Sequence, residues 1–395
     1  MRIMRGVKLT GIAAFLLVVL IAVLAAGCGR SGTGTGGKDA YKIGAVLDIT
    51  GSSSSLGVPE RNTLEMLAAK VNAAGGINGR PLEMIILDNK SDETEAVLAV
   101  KKLINTDKVL AVIGASSSGP SMAMLEVAQK EGVPMISLAA ASKIVEPASE
   151  RKWVFKTAQS DLVTVSKLVS YLKEKGISRV AFLYMNNAYG DGGRAAFAQA
   201  AQKAGIEVAL EEKFEAGDKD MTPQLSKVKA AGVQAAVVWA IPPSASIVTK
   251  NFRDMGLSIP LLHSHGAGNQ NFIDLCAGAA EGVILPLGRL AVAEQIPASD
   301  PQKAVLDEYR KDYRQKYGEE PSSFGGYAHD AFWLLAKALE KAGADRAAVR
   351  GELEKISVYV GVSGIFRLSP EDHNGLGEDS LVLVTVKNGR WALIE

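Results

Sequence analysis

His263 and His265 stand one residue apart in "HSHGAGN", His263 to Asn269, and are two of the four histidines in a chain of 395 residues. Three chemistries compete for such a pair: metal ligation, general-base catalysis, or the wall of a pocket that only binds. Metal ligation is disfavoured, because alternate residues of an extended strand point to opposite faces and no neighbouring Cys, Asp or Glu completes a ligand set. A catalytic base is disfavoured too, since no nucleophile or second acid accompanies it by motif. A pocket wall remains, with His265 facing a cleft and His263 the other face. The other two histidines read as structural: His329 on a helix, "GGYAHDAFWLL", and His373 in a turn-rich loop, "SPEDHNGLG".

Hydroxyls and small residues crowd several other short segments: "DITGSSSSLG", "IGASSSGPS", "SLAAAS", "YMNNAYGDGG" and "AIPPSAS". "GSSSSLG" has no Lys-Ser/Thr after its glycines, so it is not a nucleotide phosphate loop, and "YGDGG" lacks the dinucleotide spacing. "GASSSG" has one residue too many for the nucleophile elbow of a hydrolase. Hydroxyls and free amides at helix starts suit a carboxylate instead, because unpaired N–H groups and the positive helix end favour an anion.

The elements that position these segments alternate. "KIGAVLDI", "LEMIILDN", "VLAVIG" and "PMISLA" are β-rich runs, and Arg61 to Ala74 carries Leu64, Leu67, Ala68 and Val71 on one helical stripe. After "WVFKTAQ" the pattern restarts with a helix whose Leu162, Val165, Leu168 and Leu172 share a face. "RVAFLYMN", "VALEEKF", "AAVVWA", "PLLHSH" and "GVILPL" follow as strands, with Thr222-Pro223 opening a helix between two of them. Strand, helix, strand implies parallel sheet, here twice over. Ligands of such sheets bind at the carboxyl ends of the strands, where the small-residue loops fall. Asn388-Gly389 in "SLVLVTVKNGRWALI" predicts an antiparallel hairpin.

Composition supports two lobes of ordinary size: 47% of residues are hydrophobic and 22% charged, with a formal net charge of +1. No basic stripe interleaved with aromatics is present, so nucleic acid is not an expected partner. Arg2, Arg5 and Lys8 precede an apolar run from Ile12 to Ala26, 15 residues long, which is short for a membrane span and ends in "LAAGC". That end resembles a bacterial lipobox, so residues 1–27 are expected to be a removed signal and Cys28 the acylated residue, with Ala25 a mild departure from the usual Leu. Gly29 to Ala40 is a Gly/Ser/Thr tether, making residues 28–40 a leash. Cys276, the only other cysteine, reads as a small buried apolar residue in "FIDLCAGAAEG".

"KVNAAGGINGRPLEMIILDNKSD", "VLAVIGASSS", "VPMISLAAAS", "NAYGDGG" and "AAEGV" together resemble the leucine/isoleucine/valine-type periplasmic binding proteins of ABC importers, from about Tyr41 to the C-terminus. The resemblance implies an α/β chain of two doubly wound parallel-sheet lobes joined by a three-crossover hinge, the type I periplasmic binding fold. It places residues 41–158 and 287–359 in lobe one and 159–286 and 360–395 in lobe two. It implies a monomeric, lipid-anchored, extracytoplasmic solute-binding protein that serves a permease and its ATPase, with no enzyme activity, cofactor or metal. A sensor on the same fold, signalling to a membrane receptor, is the competing reading.

Ligand-binding roles follow the resemblance position by position. Ser118 matches the hydroxyl that holds a ligand carboxylate, Ala139 a residue contributing backbone polar groups, Leu56 an apolar wall, and Tyr189 the lobe-two tyrosine that closes over the ligand. Ala141 stands where the family usually has a Thr, so that Ser142 is a candidate substitute, and Ile241 to Pro243 replace a common aromatic or polar contact. His265 departs furthest, because the amino-acid binders have an acidic residue there to accept the ligand ammonium. A neutral imidazole, with an ordinary pKa of about 6.5, supplies no negative charge. The expected solute is therefore a small hydrophobic or aromatic carboxylate, with a branched-chain or other apolar amino acid as the alternative.

Overall fold

The computed structural model describes residues 39–394. The expected signal, the Cys28 anchor and most of the tether lie outside them. The first sheet has five strands in the order β2-β1-β3-β4-β5: β1 Tyr41–Leu47, β2 Leu82–Asp88, β3 Ala111–Gly114, β4 Met135–Ser137 and β5 Val154–Lys156. Every neighbouring pair is parallel, with Tyr41 opposite Leu82 and Ile43 opposite Ala111. Both faces are covered, and β1 is buried at six of its seven residues, the continuous apolar reading that helices on two sides require.

The second sheet runs β14-β13-β10-β9-β8-β6-β7. Its parallel part is β6 Arg179–Met185, β7 Glu207–Phe214, β8 Ala235–Trp239, β9 Leu261–His263 and β10 Ile284–Gly288. β13 Leu381–Lys387 adds antiparallel to β10, and β14 Arg390–Leu393 folds back on it through Asn388 and Gly389, both at positive φ, as the hairpin turn demands. The chain passes from the first sheet to the second after β5, back after β10, and again before β13. These are the three crossovers of the type I periplasmic binding fold.

α1 spans Ser54–Ala73, with Leu64, Leu67, Ala68 and Val71 on its buried face. It begins seven residues before Arg61, where the periodic segment starts, because its first turns pack on backbone. A Cβ on Gly57 would come within 2.3 Å of the Asp48 carbonyl oxygen, so only glycine lets this helix start against β1. α2 is Glu93–Asn105 and α3 Ser118–Glu131. α4, Asp161–Glu174, is the helix expected after the first crossover, but Leu162 is 41% exposed and its place on the inner face is taken by Asp161, Thr164 and Val169. α5 Ala188–Ala204, α6 Thr222–Ala230, α7 Ser244–Asp254 and α8 Gln270–Cys276 complete the second lobe, with Pro223 in the first turn of α6. α9 Lys303–Tyr317, α10 Ser323–Ala342 and α11 Arg346–Glu354 return to the first, where α10 packs on α1.

The last return to lobe two differs from the expected position 360. β11 Tyr359–Val360 pairs with β12 Ile365–Phe366 across that boundary. Beyond it, His373 stacks on Phe155 with centroids 4.2 Å apart and accepts the Lys156 N–H at its carbonyl, so this stretch belongs to the first lobe's side. Only from β13 does the chain join the second sheet. His373 is thus a buried brace with its ring on the Val154 carbonyl and Glu354, where a turn residue was expected.

Gly57→Ala is expected to lower unfolding free energy by about 1–3 kcal/mol, the usual cost of forced overpacking. Urea denaturation of the two proteins checks it; equal midpoints would mean that α1 can retreat from β1 freely.

Candidate functional site

A cavity of ≈ 130 Å³ lies where the carboxyl ends of β1, β3 and β4 face those of β6, β8 and β9. Its wall includes Leu56, Ser118, Ala139, Tyr189, Ile241 and His265, six of the eight expected ligand-binding residues. Ala141 and Ser142 do not reach it. Ala141 sits behind Ser118, donating its N–H to the Ser118 Oγ at 3.3 Å, and Ser142 begins a short 3₁₀ turn.

The triple serine after β3 divides its work. Ser116 Oγ accepts the Asp48 N–H at 3.0 Å and donates to the Glu60 carboxyl, while Ser117 Oγ donates to the Asp48 carboxylate. Asn89 Nδ2 donates to the other Asp48 oxygen at 2.8 Å. All three serines line the cavity, but two of them bolt the loop to buried carboxyls and only Ser118 has its hydroxyl hydrogen uncommitted among the described residues. Ser118, 2% exposed, accepts from Ala141 and keeps its own hydrogen to donate. It is also the first residue of α3, whose N-cap Ser117 makes no side-chain cap bond, so the Ser118 and Gly119 amides have no acceptor among the described residues. Ala139 donates its N–H to Ser137 Oγ at 3.1 Å, and its carbonyl oxygen has no donor among those residues.

Burial raises the carboxyl of Glu60 far above its ordinary 4.5, outweighing the bond from Ser116, and the nearby Asp48 charge raises it further. Burial raises Asp48 as well, against the bonds from Ser117 and Asn89.

Lobe two closes the cavity with rings. Tyr189, on α5, donates to Ser264 Oγ at 2.9 Å and accepts the Gly266 N–H at 3.2 Å, so its hydroxyl is occupied and its ring is what the cavity meets. His265 starts a 3₁₀ turn after β9 and stands edge-on to Tyr189 and Trp239, at 6.1 and 6.3 Å between centroids. Its Nδ1 lies 3.1 Å from Thr164 Oγ1 on α4, and its Nε2 has no partner among the described residues. Burial, helped by the Lys156 charge, lowers its pKa to about 3, so the ring is neutral. Room for Trp239 comes from "NAYGDGG": a Cβ on Gly193 would collide with the indole at 2.2 Å. His263 faces away, its Nε2 2.9 Å from Thr249 Oγ1 and its ring against Phe272. Cys276 is buried, and burial raises its thiol pKa.

Phe324 and Tyr327 of α10 complete the wall and were not anticipated. Tyr327 donates to Gln159 Oε1 at 3.0 Å, and Gln159 donates to the Ser363 carbonyl at 2.7 Å, tying the cavity to two crossovers. No sequence signal near "SSFGGYAHDAF" marks these rings, because α10 reaches the site by packing on α1. Glu93, the cavity's single carboxylate, is exposed and lies beside Gly119 at the Ser118 end.

This architecture and cleft have counterparts. The model of the periplasmic binding protein family matches residues 40–390. The leucine-, isoleucine-, valine-, threonine- and alanine-binding protein of Pseudomonas aeruginosa is 29% identical over 77% of this chain and 79% of its own. An extracellular ligand-binding receptor from Rhodopseudomonas palustris superposes with a TM-score of 0.85 at 28% identity, covering 90% of this chain and 99% of that one. The branched-chain amino acid transporter substrate-binding protein of Streptococcus pneumoniae, solved with isoleucine, gives 0.80 at 28% identity over 89% and 97%. The chain belongs to the periplasmic binding protein family, as an extracytoplasmic substrate-binding protein of the branched-chain amino acid ABC transporter type. Its relatives bind solutes and are not enzymes.

Because burial raises the folded pKa of Glu60 above its ordinary 4.5, the unfolded chain ionises first, and folding stability falls as pH rises from 4.5 towards the folded pKa. The loss approaches about 1.4 kcal/mol per pH unit. Glu60→Gln removes this term, so its stability measured by denaturant titration is expected to fall less between pH 5 and 8 than that of the unmodified protein; parallel curves would mean that Glu60 is ionised in the fold.

Proposed function

We propose that the protein captures a small apolar or aromatic carboxylate that lacks an α-amino group, and delivers it to an ABC permease. The observation that carries this reading is the asymmetry of the cavity. At one end stand a free hydroxyl and two free amides, those of Ser118 and Gly119, suited to charge-assisted bonds with a carboxylate. At the other stands a neutral His265 flanked by Tyr189 and Trp239, with Ile241 beside it. An ammonium placed there loses hydration without gaining an ion pair, at a cost of several kcal/mol. Glu93 does not supply the missing charge, being exposed to solvent at the carboxylate end. The size agrees: a cavity of ≈ 130 Å³ suits a benzene-sized body, which a cavity of about 150 Å³ accepts.

A second reading, an apolar amino acid, draws on the relatives that bind leucine, isoleucine and valine and on the unpartnered Ala139 carbonyl, an acceptor for one ammonium hydrogen. On either reading Leu56, Ser118, Ala139, Tyr189, Ile241 and His265 hold the solute, while Ala141 acts through Ser118. The two lobes close on it from either side of the crossovers, and Cys28 carries the lipid that tethers the chain to the membrane.

Titration calorimetry with leucine and with 4-hydroxybenzoate separates the readings. Saturable binding of the aromatic acid, with leucine weak or silent, is expected; tight leucine binding with no response to any acid overturns the proposal. Ser118→Ala is expected to weaken acid binding by about 1.5–3 kcal/mol, the worth of a hydrogen bond to a charged group, and His265→Glu to shift the ranking towards leucine. For the anchor, Cys28→Ser is expected to release the protein from membranes or leave an unprocessed precursor, and membrane retention with normal processing would contradict it.

A further inference from the structure

Two buried charged side chains stand behind the cavity wall without a place in the capture just described. Lys156 ends β5 and is 0% exposed; its ammonium donates to the Ala140 carbonyl at 3.0 Å and the Ala158 carbonyl at 2.9 Å, both residues of the wall. Asp161 opens α4 at 1% exposure, and among the described residues its carboxylate has no side-chain partner, the Ser142 N–H being the nearby donor that favours its charge. A Cβ on Gly192 of α5 would come 2.6 Å from Asp161 Oδ2, so α5 packs directly on the carboxyl. The Asp161 N–H shares the Ala140 carbonyl with Lys156, yet the two charged ends are not in ion-pair contact. Lys156 thus has carbonyl dipoles but no carboxylate in contact, and the Asp161 carboxylate has the Ser142 N–H nearby but no cation in contact, a costly arrangement for two buried charges.

An anion held at Ser118 enters this pair's field. Ser118 Oγ is bonded to the amide of Ala141, the residue next to the carbonyl that Lys156 grips. A negative charge there stabilises the ammonium and repels the Asp161 carboxylate. We propose that Lys156 and Asp161 couple solute capture to uptake of a proton: the solute carboxylate becomes the counter-charge of Lys156, and Asp161 takes a proton from bulk water. One O–H bond forms on Asp161, and nothing is oxidised or reduced. The inference rests on the reading that the solute is a carboxylate anion. A zwitterion brings its own positive charge and calls for less proton uptake.

The surroundings are consistent with a titration near neutral pH. Burial lowers the Lys156 pKa and raises that of Asp161, each opposed by the other's charge. Glu146 and Asp372 also face Lys156, and Glu146 faces Asp161. Across the cleft, Tyr189 is pushed upward by burial, and His265 is held at about 3 by burial and by Lys156. His265 is thus the competing proton acceptor, but it starts further from neutrality.

Calorimetry of 4-hydroxybenzoate binding at pH 7 in two buffers of different ionisation enthalpy measures the protons exchanged. Uptake approaching one proton per acid bound is expected, with affinity falling towards about tenfold per pH unit as pH rises through the titration. The double variant Lys156→Met/Asp161→Asn is expected to bind without proton exchange. His265→Gln is expected to bind more weakly but with uptake per bound acid retained. Should the double variant fail to fold, the infrared difference spectrum of the unmodified protein on adding the acid decides, a new protonated-carboxyl band being expected and its absence overturning the proposal. Acid binding with no buffer dependence overturns it, as does uptake that vanishes in His265→Gln. Failure of any acid to bind overturns instead the reading of the solute on which it rests.

Discussion

The site depends on one constraint: a loop that presents a free hydroxyl and free amides to a closed cavity must have its other polar groups satisfied inside the protein. Each unsatisfied one costs about 1–3 kcal/mol. The segment after β3 meets this through Ser116 and Ser117, which reach the Glu60 carboxyl on α1 and the Asp48 carboxylate after β1. Three elements are locked together by carboxyls that are themselves buried, and burial raises the pKa of both, the Asp48 charge raising Glu60 further. Only then can Ser118 stand unoccupied at the start of α3. Gly57 belongs to the same arrangement, since its missing Cβ lets α1 lie close enough to β1 for Glu60 to reach the loop.

The second lobe offers little that is ionic. Tyr189 has its hydroxyl satisfied by Ser264 and Gly266, Trp239 lies against Gly193, and His265 is neutral between two rings. Apart from the exposed Glu93 at the Ser118 end, the charges nearest the cavity include Lys156 and Asp161 behind it, where they join the wall to the first crossover. Selectivity on this account comes from the polarity of the two ends of the cavity. The anion-binding end is built from dipoles and a hydroxyl, and the far end gives a cation nothing to pair with.

Much of the fold was legible because its signals are local. Leu64, Leu67, Ala68 and Val71 recur at helical spacing and are the buried stripe of α1; Asn388-Gly389 takes the positive φ values of its hairpin; the small-residue loops fall at strand ends, as a parallel sheet requires. What escaped the sequence depends on partners far along the chain. Ser116 and Ser117 look like Ser118 until Glu60 and Asp48, 56 and 69 residues away, are in place. Ala141 reads from the sequence as a cavity residue, yet it lies behind Ser118 and orients that hydroxyl. Leu162 was assigned inward by periodicity, but the crossover turns Asp161 inward and leaves Leu162 exposed. The stretch around His373 reads as loop on the second lobe's side, and only its ring on Phe155 shows that it braces the first.

A crystal structure of the protein with the solute that co-purifies with it tests the central claim most directly. The account predicts a carboxylate within hydrogen-bonding distance of Ser118 Oγ and the Ser118 and Gly119 amides, its apolar body against Leu56 and the Tyr189 ring, and no nitrogen cation near His265. A bound ammonium bonded to the Ala139 carbonyl, or a solute whose carboxylate lies away from Ser118, would contradict it.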